Sequence, residues 1–192
     1  MNPLVTIIIP RLAGRRNDYF KQAVQSVKDQ TYPNIELIIA ESDKSEAENI
    51  KDGLERSKGD IIHILHDDDC LPVYSVELAA KHIKNYDFIH GKAWLSNGQI
   101  YTPPLTITIE DELKRTHLHN ATMYYRRELF DIPYIWEVDF HIRNLARGKK
   151  LGYCLFILAN YRLHSGQLGL NPERKKWKQE IRNQLIEEYG TQ

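Results

Sequence analysis

The sequence has little cysteine, no excess charge of either sign and no long apolar run, and each absence excludes a class of protein. Its two cysteines, Cys70 and Cys154, form no CxxC pair, which argues against a disulfide framework or a zinc site and favours a reducing compartment. Lysine plus arginine and aspartate plus glutamate each number 26, so no overall field favours nucleic acid as a partner. With 192 residues, the chain is long enough to bury the core of a soluble globular domain.

No apolar stretch reaches the length that crosses a membrane, so we expect no transmembrane segment. Met1-Asn2-Pro3 leads directly into a strand pattern, unlike a signal peptide. We therefore expect a cytoplasmic protein. Peripheral contact with the inner face of a membrane stays open. The basic run Arg174-Lys175-Lys176 fits a solvated helix face, contact with anionic lipid or contact with a glycan phosphate.

The first half of the chain alternates strand patterns with helix patterns. Strand patterns occupy residues 4–9, 35–40 and 61–65, and helix patterns occupy residues 18–30, 45–57 and 72–85. The β-branched strand runs are typical of strands buried on both faces, and Pro10 is expected to end the first of them. Ser45 and Glu48 form a capping box at the start of the second helix. This order predicts an α/β fold with a mostly parallel central sheet flanked by helices.

The second half is less regular and shows no internal repeat and no clear linker. Strands are predicted at residues 88–95, 121–125 and 153–158, and helices at residues 136–146 and 172–189. We therefore predict a single domain over residues 1–192.

Three aspartates, Asp67-Asp68-Asp69, directly follow the third strand pattern. Carboxylates this close repel one another, and a cluster of hard oxygen ligands favours Mg²⁺ or Mn²⁺ shared with phosphates. A solvated acidic turn or a helix N-cap is the alternative. Pro10-Arg11 and Glu41-Ser42-Asp43 follow the other two strands. Because ligands bind at the carboxyl ends of strands in open α/β sheets, we expect the three ends to share one crevice that binds a diphosphate and a metal.

In order and spacing, these motifs resemble the nucleotide-sugar-dependent glycosyltransferases of the GT-A (Rossmann-like) fold, in inverting family 2. The segments that carry the resemblance are VTIIIP at 5–10, AVQSVKDQTYPNIELII at 23–39, GLERSKGDII at 53–62, HNATMYYRREL at 119–129, EVDFHIR at 137–143 and YRLHS at 161–165. The resemblance implies transfer of a sugar, expected to be UDP-linked, to a hydroxyl of a glycan or lipid-linked acceptor. It divides the chain into a nucleotide-binding half at 1–90, an acceptor and catalytic half at 91–170, and a C-terminal helix at 171–192.

On the donor side, the resemblance implies roles for individual residues. The Mn²⁺ or Mg²⁺ ligands are expected to be Asp67, Asp69 and His164. Nucleotide-sugar contacts are expected from Pro10, Arg11, Glu41, Asp67, Asp68 and His119. Glu41 stands where the family has an aspartate that contacts the base of the nucleotide, and this departure leaves the nucleotide preference open. Arg15 and Arg16 in the first loop are candidates for phosphate contact, with solvated loop charge as the alternative.

Transfer also needs a general base, and the resemblance assigns that role to Glu137, where the family has an aspartate. Asp139 is the alternative. Residues two apart on a helix do not share a face, so we expect only one of them to point into the site. Both could instead complement the dipole at a helix N-terminus.

Two other functions stay open at this point. A nucleotidyltransferase would favour a glycine-rich phosphate loop, whereas the loop from Pro10 to Asn17 has one glycine, Gly14. A nucleotide-sugar-binding module without turnover would fit the altered second-strand motif and the glutamate at position 137.

Overall fold

Seven strands form one sheet, and the computed structural model describes residues 2–15 and 17–190. The strands are β1 (Val5–Leu12), β2 (Ile35–Ser42), β3 (Ile61–Ile64), β4 (Phe88–Leu95), β5 (Ile100–Tyr101), β6 (Tyr124–Arg126) and β7 (Leu151–Tyr161). The helices are α1 (Asn17–Lys28), α2 (Glu46–Arg56), α3 (Ser75–His82), α4 (Ile109–Lys114), α5 (Glu137–Ala146) and α6 (Pro172–Tyr189). Short 3-10 turns lie at Ile83–Asn85, Asn120–Thr122, Arg127–Asp131 and Leu168–Leu170. No helix in these described ranges is both long and apolar enough to cross a membrane.

The order of the strands confirms the predicted α/β class. Hydrogen-bonded neighbours follow the order β2-β1-β3-β6-β4-β5, and β7 pairs with β4. β1 is parallel to β2 and β3, and β4 is parallel to β7, whereas β6 and β5 are antiparallel to their neighbours. β1, β2, β3, β4 and β7 therefore point the same way, and their carboxyl ends lie toward one edge of the sheet.

Helices cover both faces of the sheet, which explains why β1 reads as an unbroken apolar run. Ile7 and Ile9 belong to a core cluster with α1 and α3, whereas Ile8 packs in a separate cluster on the side of α2. Alternate residues of a strand point to opposite faces, so both sets must be apolar. A Cβ added at Gly53 would lie 2.4 Å from Ile8 Cγ2, so glycine lets α2 approach β1 closely.

Pro10 does not end β1, contrary to the prediction, because its missing N–H falls on one side of the strand only. β1 continues to Leu12 and stays paired with β2 through this region. The carbonyls of Leu4 and Ile8 accept hydrogen bonds from β3 and the residue after it, so even-numbered residues of β1 face β3. Pro10 shares that orientation, and pairing with β3 stops at Ile64. The proline therefore ends one ladder and leaves the other intact.

The segment between β4 and α5 contains two elements that were not predicted from the sequence, β5 and α4. Asn97-Gly98 turns the chain between β4 and β5, with Gly98 at a φ of +86°, and this pair is a standard hairpin signal that could have been recognised. The predicted strand at 121–125 is instead a 3-10 turn followed by the three residues of β6.

The buried side chain of Glu112 stabilises the C-terminal end of α4 through hydrogen bonds to the residues that follow the helix. Its Oε1 accepts the backbone N–H groups of His117 and Leu118, at 2.6 and 3.0 Å. Arg182 of α6 donates to backbone carbonyls at the same end of α4, including that of Leu113 at 2.7 Å. Glu112 is fully buried, and burial raises the pKa of its carboxyl group to about 7.

Replacing Glu112 with glutamine is expected to flatten the pH dependence of folding stability. The folded protein holds the proton more tightly than the unfolded chain, whose pKa is 4.5, so this contribution is complete below pH 4.5 and is lost as pH rises through 7. We expect the wild type to lose roughly 2–3 kcal/mol more than Glu112→Gln over this range. Urea unfolding on both sides of the range measures the difference, with Glu110→Gln on the exposed face of α4 as the control. An equal loss in the wild type and Glu112→Gln would contradict the assignment.

Candidate functional site

The carboxyl ends of β1 and β3 open into a cavity of about 270 Å³, which we call the strand-end cavity. Pro10 and Arg11 of β1 line it, as do Asp67 and Asp68 after β3. Its other walls include His119, Glu137 and Tyr161, together with Leu168, Leu170, Arg174 and Lys178 from the C-terminal segment. This is the position at which open α/β sheets bind ligands.

Arg11 links the carboxyl ends of β1, β2 and β3 through contacts with Glu41 and Asp67. Its Nη1 lies 2.9 Å from both carboxylate oxygens of Glu41, its register partner on β2. Its Nε lies 3.9 Å from Asp67 Oδ2, and its guanidinium stacks 4.3 Å above the centre of the Phe20 ring. The strand ends therefore meet, as predicted. Glu41 itself faces Arg11 and is not part of the cavity lining, and its contact with a nucleotide base stays a prediction.

The three consecutive aspartates lie in three different environments. Asp67 Oδ1 is 3.3 Å from Arg15 Nη1, and Asp68 Oδ2 is 3.0 Å from His164 Nε2. Asp69 is buried: its Oδ1 accepts the backbone N–H of Arg162 at 2.8 Å, and its Oδ2 has no partner among the residues described. Burial, and secondly the Asp68 carboxylate, raise the pKa of Asp69 to about 7. An unpartnered buried carboxylate oxygen is costly unless a cation or donor reaches it.

Asp67, Asp69 and His164 stay the predicted metal ligands, and the described residues offer one further group of candidate ligands. Ligand atoms of His66, Asp68 and Asp69 lie within 4.8 Å of one another. Burial opposes the charged form of His66, but Glu46, at 2.9 Å, raises its pKa to about 10, which favours a protonated ring that pairs with Glu46 over a ring that ligates a metal. Asp68 and Asp69 remain, and two carboxylates with ligand phosphates are a suitable set for Mg²⁺ or Mn²⁺.

Of the two candidate bases, only Glu137 reaches the strand-end cavity. It is the first residue of α5, it makes no hydrogen bond within the described part of the chain, and Lys178 Nζ lies 3.8 Å from its Oε1. Asp139 is buried away from the cavity, where its Oδ1 accepts a hydrogen bond of 2.7 Å from Arg143 Nε. The structure therefore distinguishes the two carboxylates that the sequence left as alternatives. Glu137 lines the cavity, whereas Asp139 is buried and bonds to Arg143 within α5.

His119 lines the strand-end cavity, and its contact with a nucleotide sugar stays a prediction. Burial lowers the pKa of its imidazole. Its ring meets that of Tyr101 edge-on, with the centroids 5.3 Å apart. An uncharged histidine here can donate or accept a hydrogen bond without adding charge.

Four residues of the site were missed or misread from sequence: Glu46, His66, Arg174 and Lys178. His66 pairs with Glu46, and Arg174, predicted to lie on a solvated helix face or to contact anionic lipid, forms an ion pair with the same glutamate. The two cations hold the pKa of Glu46 well below its usual range, against the effect of burial. No local motif signals these pairs, because Glu46 and Arg174 lie 128 positions apart. Of the two predicted loop arginines, Arg15 faces the aspartates and Arg16 lies outside the described residues.

Comparisons with known proteins agree with this fold. No protein-family model matches the chain. A Rickettsia felis protein described as an uncharacterized glycosyltransferase is 34% identical over 175 residues, covering 83% of this chain and 27% of that protein. A Rickettsia bellii protein with the same description is 30% identical over 129 residues, covering 67% of this chain and 18% of its own length. The chain therefore spans 27% of the length of the first relative and 18% of the length of the second.

Two solved structures share the architecture at low sequence identity. Residues 1–349 of Staphylococcus aureus TarS, in complex with UDP-GlcNAc, superpose with a TM-score of 0.67 at 14% identity, covering 95% of this chain and 66% of that one. The mannosyltransferase PcManGT of Pyrobaculum calidifontis, in complex with GDP-Man and Mn²⁺, gives 0.64 at 13% identity, covering 95% and 61%. The chain therefore has the fold seen in these glycosyltransferase structures.

Replacing Glu46 with glutamine is expected to destabilise the fold by about 2–3 kcal/mol, because Arg174 would keep its charge in a largely buried place without the anion and His66 would lose the partner that favours its protonated form. Urea unfolding measures the loss, and Glu180→Gln, on the exposed face of α6, is the matched control. A Glu46→Gln protein as stable as Glu180→Gln would show that the ion pairs contribute nothing to folding.

Proposed function

We propose that the chain transfers a sugar from a nucleoside-diphosphate sugar to an acceptor hydroxyl, with inversion, in the manner of GT-A family 2 enzymes. The observation that carries the proposal is one cavity at the strand ends that both Asp68 and Glu137 line. Beside Asp68 lies the buried Asp69, whose Oδ2 has no partner among the described residues, and Glu137 makes no hydrogen bond within the described part of the chain. The two aspartates suit a cation that binds diphosphate, and Glu137 suits a base. The relatives described as glycosyltransferases and the neighbours with UDP-GlcNAc or GDP-Man support the same chemistry.

On the donor side, Asp68 and Asp69 would hold Mn²⁺ or Mg²⁺, which, when bound, neutralises charge on the departing diphosphate. Arg15 lies beside Asp67 and Asp68 at the rim of the same cavity, with its side chain about one quarter exposed. A guanidinium there can move from the carboxylates to the diphosphate oxygens of an incoming donor, which it binds through paired N–H groups. A UDP-sugar or a GDP-sugar fits this arrangement.

On the acceptor side, Glu137 would act as the general base. It takes the proton of the acceptor hydroxyl while the hydroxyl oxygen forms a bond to the anomeric carbon. The bond from that carbon to the diphosphate breaks, and its electron pair leaves with the nucleoside diphosphate. Attack opposite the leaving group inverts the anomeric centre and needs no covalent enzyme intermediate. The acceptor would be a glycan or a lipid-linked glycan.

Glu137→Gln is expected to slow sugar transfer roughly 10²–10⁴-fold while the affinity for nucleotide is kept, because an amide cannot take the proton. Release of nucleoside diphosphate from UDP- and GDP-sugars, with a panel of glycoside acceptors, measures turnover. Asp139→Asn is the paired variant, since that carboxylate lies outside the cavity, and it should keep turnover. Unchanged turnover in Glu137→Gln with loss in Asp139→Asn would move the base to Asp139.

Asp69→Asn is expected to abolish the part of nucleotide affinity that depends on metal. The amide keeps an oxygen for the Arg162 N–H but lacks the charge that a divalent cation needs. Calorimetric titration of UDP and GDP in Mn²⁺ and in EDTA should then give equal affinities for this variant. The exposed Asp43→Asn protein is the control and should bind more tightly in Mn²⁺. A metal effect of wild-type size in Asp69→Asn would remove Asp69 from the metal site.

A further inference from the structure

A second cavity, of about 390 Å³, lies beside the first and is built differently. The start of α2, the residues before α5 and the first turns of α6 enclose it. Its wall is largely aromatic and aliphatic, formed by Tyr134, Ile135, Trp136 and Trp177, and we call it the aromatic cavity. Its volume falls within the range of small-molecule sites, and a mainly apolar wall with a few polar groups is typical of such sites.

The two cavities share a wall that contains the proposed base. Glu46, Glu137 and Arg174 line both of them. Glu46 is held by His66 and Arg174, whereas Glu137 makes no hydrogen bond within the described ranges. A ligand in the aromatic cavity would therefore meet a carboxylate able to accept a proton, and that carboxylate also faces the strand-end cavity.

Trp177 and Ile135 leave apolar surface open in this cavity, whereas Trp136 is buried. Trp177 is 39% exposed and Ile135 is 44% exposed, although both are large apolar residues. The rings of Trp136 and Trp177 are 6.4 Å apart between centroids and tilted by 56°. A sugar ring has an apolar C–H face and a rim of hydroxyls, so its face can cover an indole while its rim meets carboxylates.

The charged side chains around the aromatic cavity favour a neutral sugar acceptor over an anionic one. Three carboxylates, Glu46, Glu137 and Glu173, line it against one guanidinium, Arg174. His66 and Lys178 also face Glu46 and Glu137 from outside this wall. Because these cations already face carboxylates, a phosphorylated or otherwise anionic ring gains no free cation here, and hydroxyl donors are the groups that the carboxylates can accept.

We propose that the aromatic cavity is the acceptor subsite and binds a neutral sugar ring, with one hydroxyl directed to Glu137. This inference rests on the proposed function, because it needs a donor in the strand-end cavity. The hydroxyl proton passes to Glu137, and the new glycosidic bond forms across the shared wall.

The chain contains three tryptophans, so their indole N–H signals in a ¹H–¹⁵N NMR spectrum test the proposal directly. Trp136 and Trp177 line the aromatic cavity, while Trp94 on β4 lines neither cavity and serves as an internal control. The probes are the methyl glycosides of glucose, galactose and N-acetylglucosamine, with glucose 6-phosphate as the anionic comparison. Each is titrated with and without UDP and Mg²⁺, in case the donor must bind first.

At least one neutral glycoside is expected to move the Trp136 and Trp177 signals and leave Trp94 in place. Trp177→Ala should weaken that binding about tenfold, and Trp94→Ala should not change it. The proposal is overturned if no glycoside moves the two signals, if the Trp94 signal moves equally, or if glucose 6-phosphate binds more tightly than the methyl glycoside of glucose.

Nucleotide binding, followed by backbone signals in the same samples, separates this inference from the proposed function. Binding of UDP or GDP without any glycoside effect would overturn the acceptor subsite alone. A glycoside effect without nucleotide binding would contradict the transferase and leave a sugar-binding cavity.

Discussion

Carboxylates that converge on one cavity must be neutralised, and this constraint governs the arrangement of side chains around the strand ends. Glu46, Asp67, Asp68, Asp69 and Glu137 all lie at or beside the strand-end cavity. Cations reach them from distant parts of the chain: Arg11 and Arg15 near the end of β1, His66 after β3, and Arg174 and Lys178 on α6. Buried charges that lack such partners are strongly destabilising. Of these five side chains, Asp69, at its Oδ2, and Glu137 are incompletely satisfied within the described part of the chain, and the proposed chemistry uses both.

α6 joins this electrostatic arrangement to the rest of the fold. Leu185 buries the helix against α5 and α4, and Arg182 donates to the backbone at the end of α4. The basic residues near its start then reach Glu46 and Glu137 across the two cavities. The same helix therefore fixes the shared wall between the proposed donor and acceptor subsites. Changes in its packing would alter the site without touching a residue that meets the ligand.

Local signals in the sequence were enough to predict much of the fold. They were not enough to predict which residues pair when these lie far apart in the chain. The β-branched runs, the Ser45–Glu48 capping box and the helix Pro172–Tyr189 were predicted and are found, because each is encoded within a few residues. β5 and α4 are short and were missed, and Pro10 was misread because its effect depends on which neighbour its N–H would face. The acidic run located the cavity, but burial and partners such as Arg15 distinguish its three aspartates. Those partners, like Glu46 for His66, come together only in the folded chain.

The most direct test is a crystal structure of the protein with a nucleoside diphosphate and Mn²⁺, located by the anomalous signal of manganese. The account predicts a manganese peak bonded to Asp68, Asp69 and the diphosphate oxygens, with the nucleotide in the strand-end cavity and Glu137 facing its phosphate end. A nucleotide bound elsewhere, or manganese bound without contact to Asp69, would contradict it.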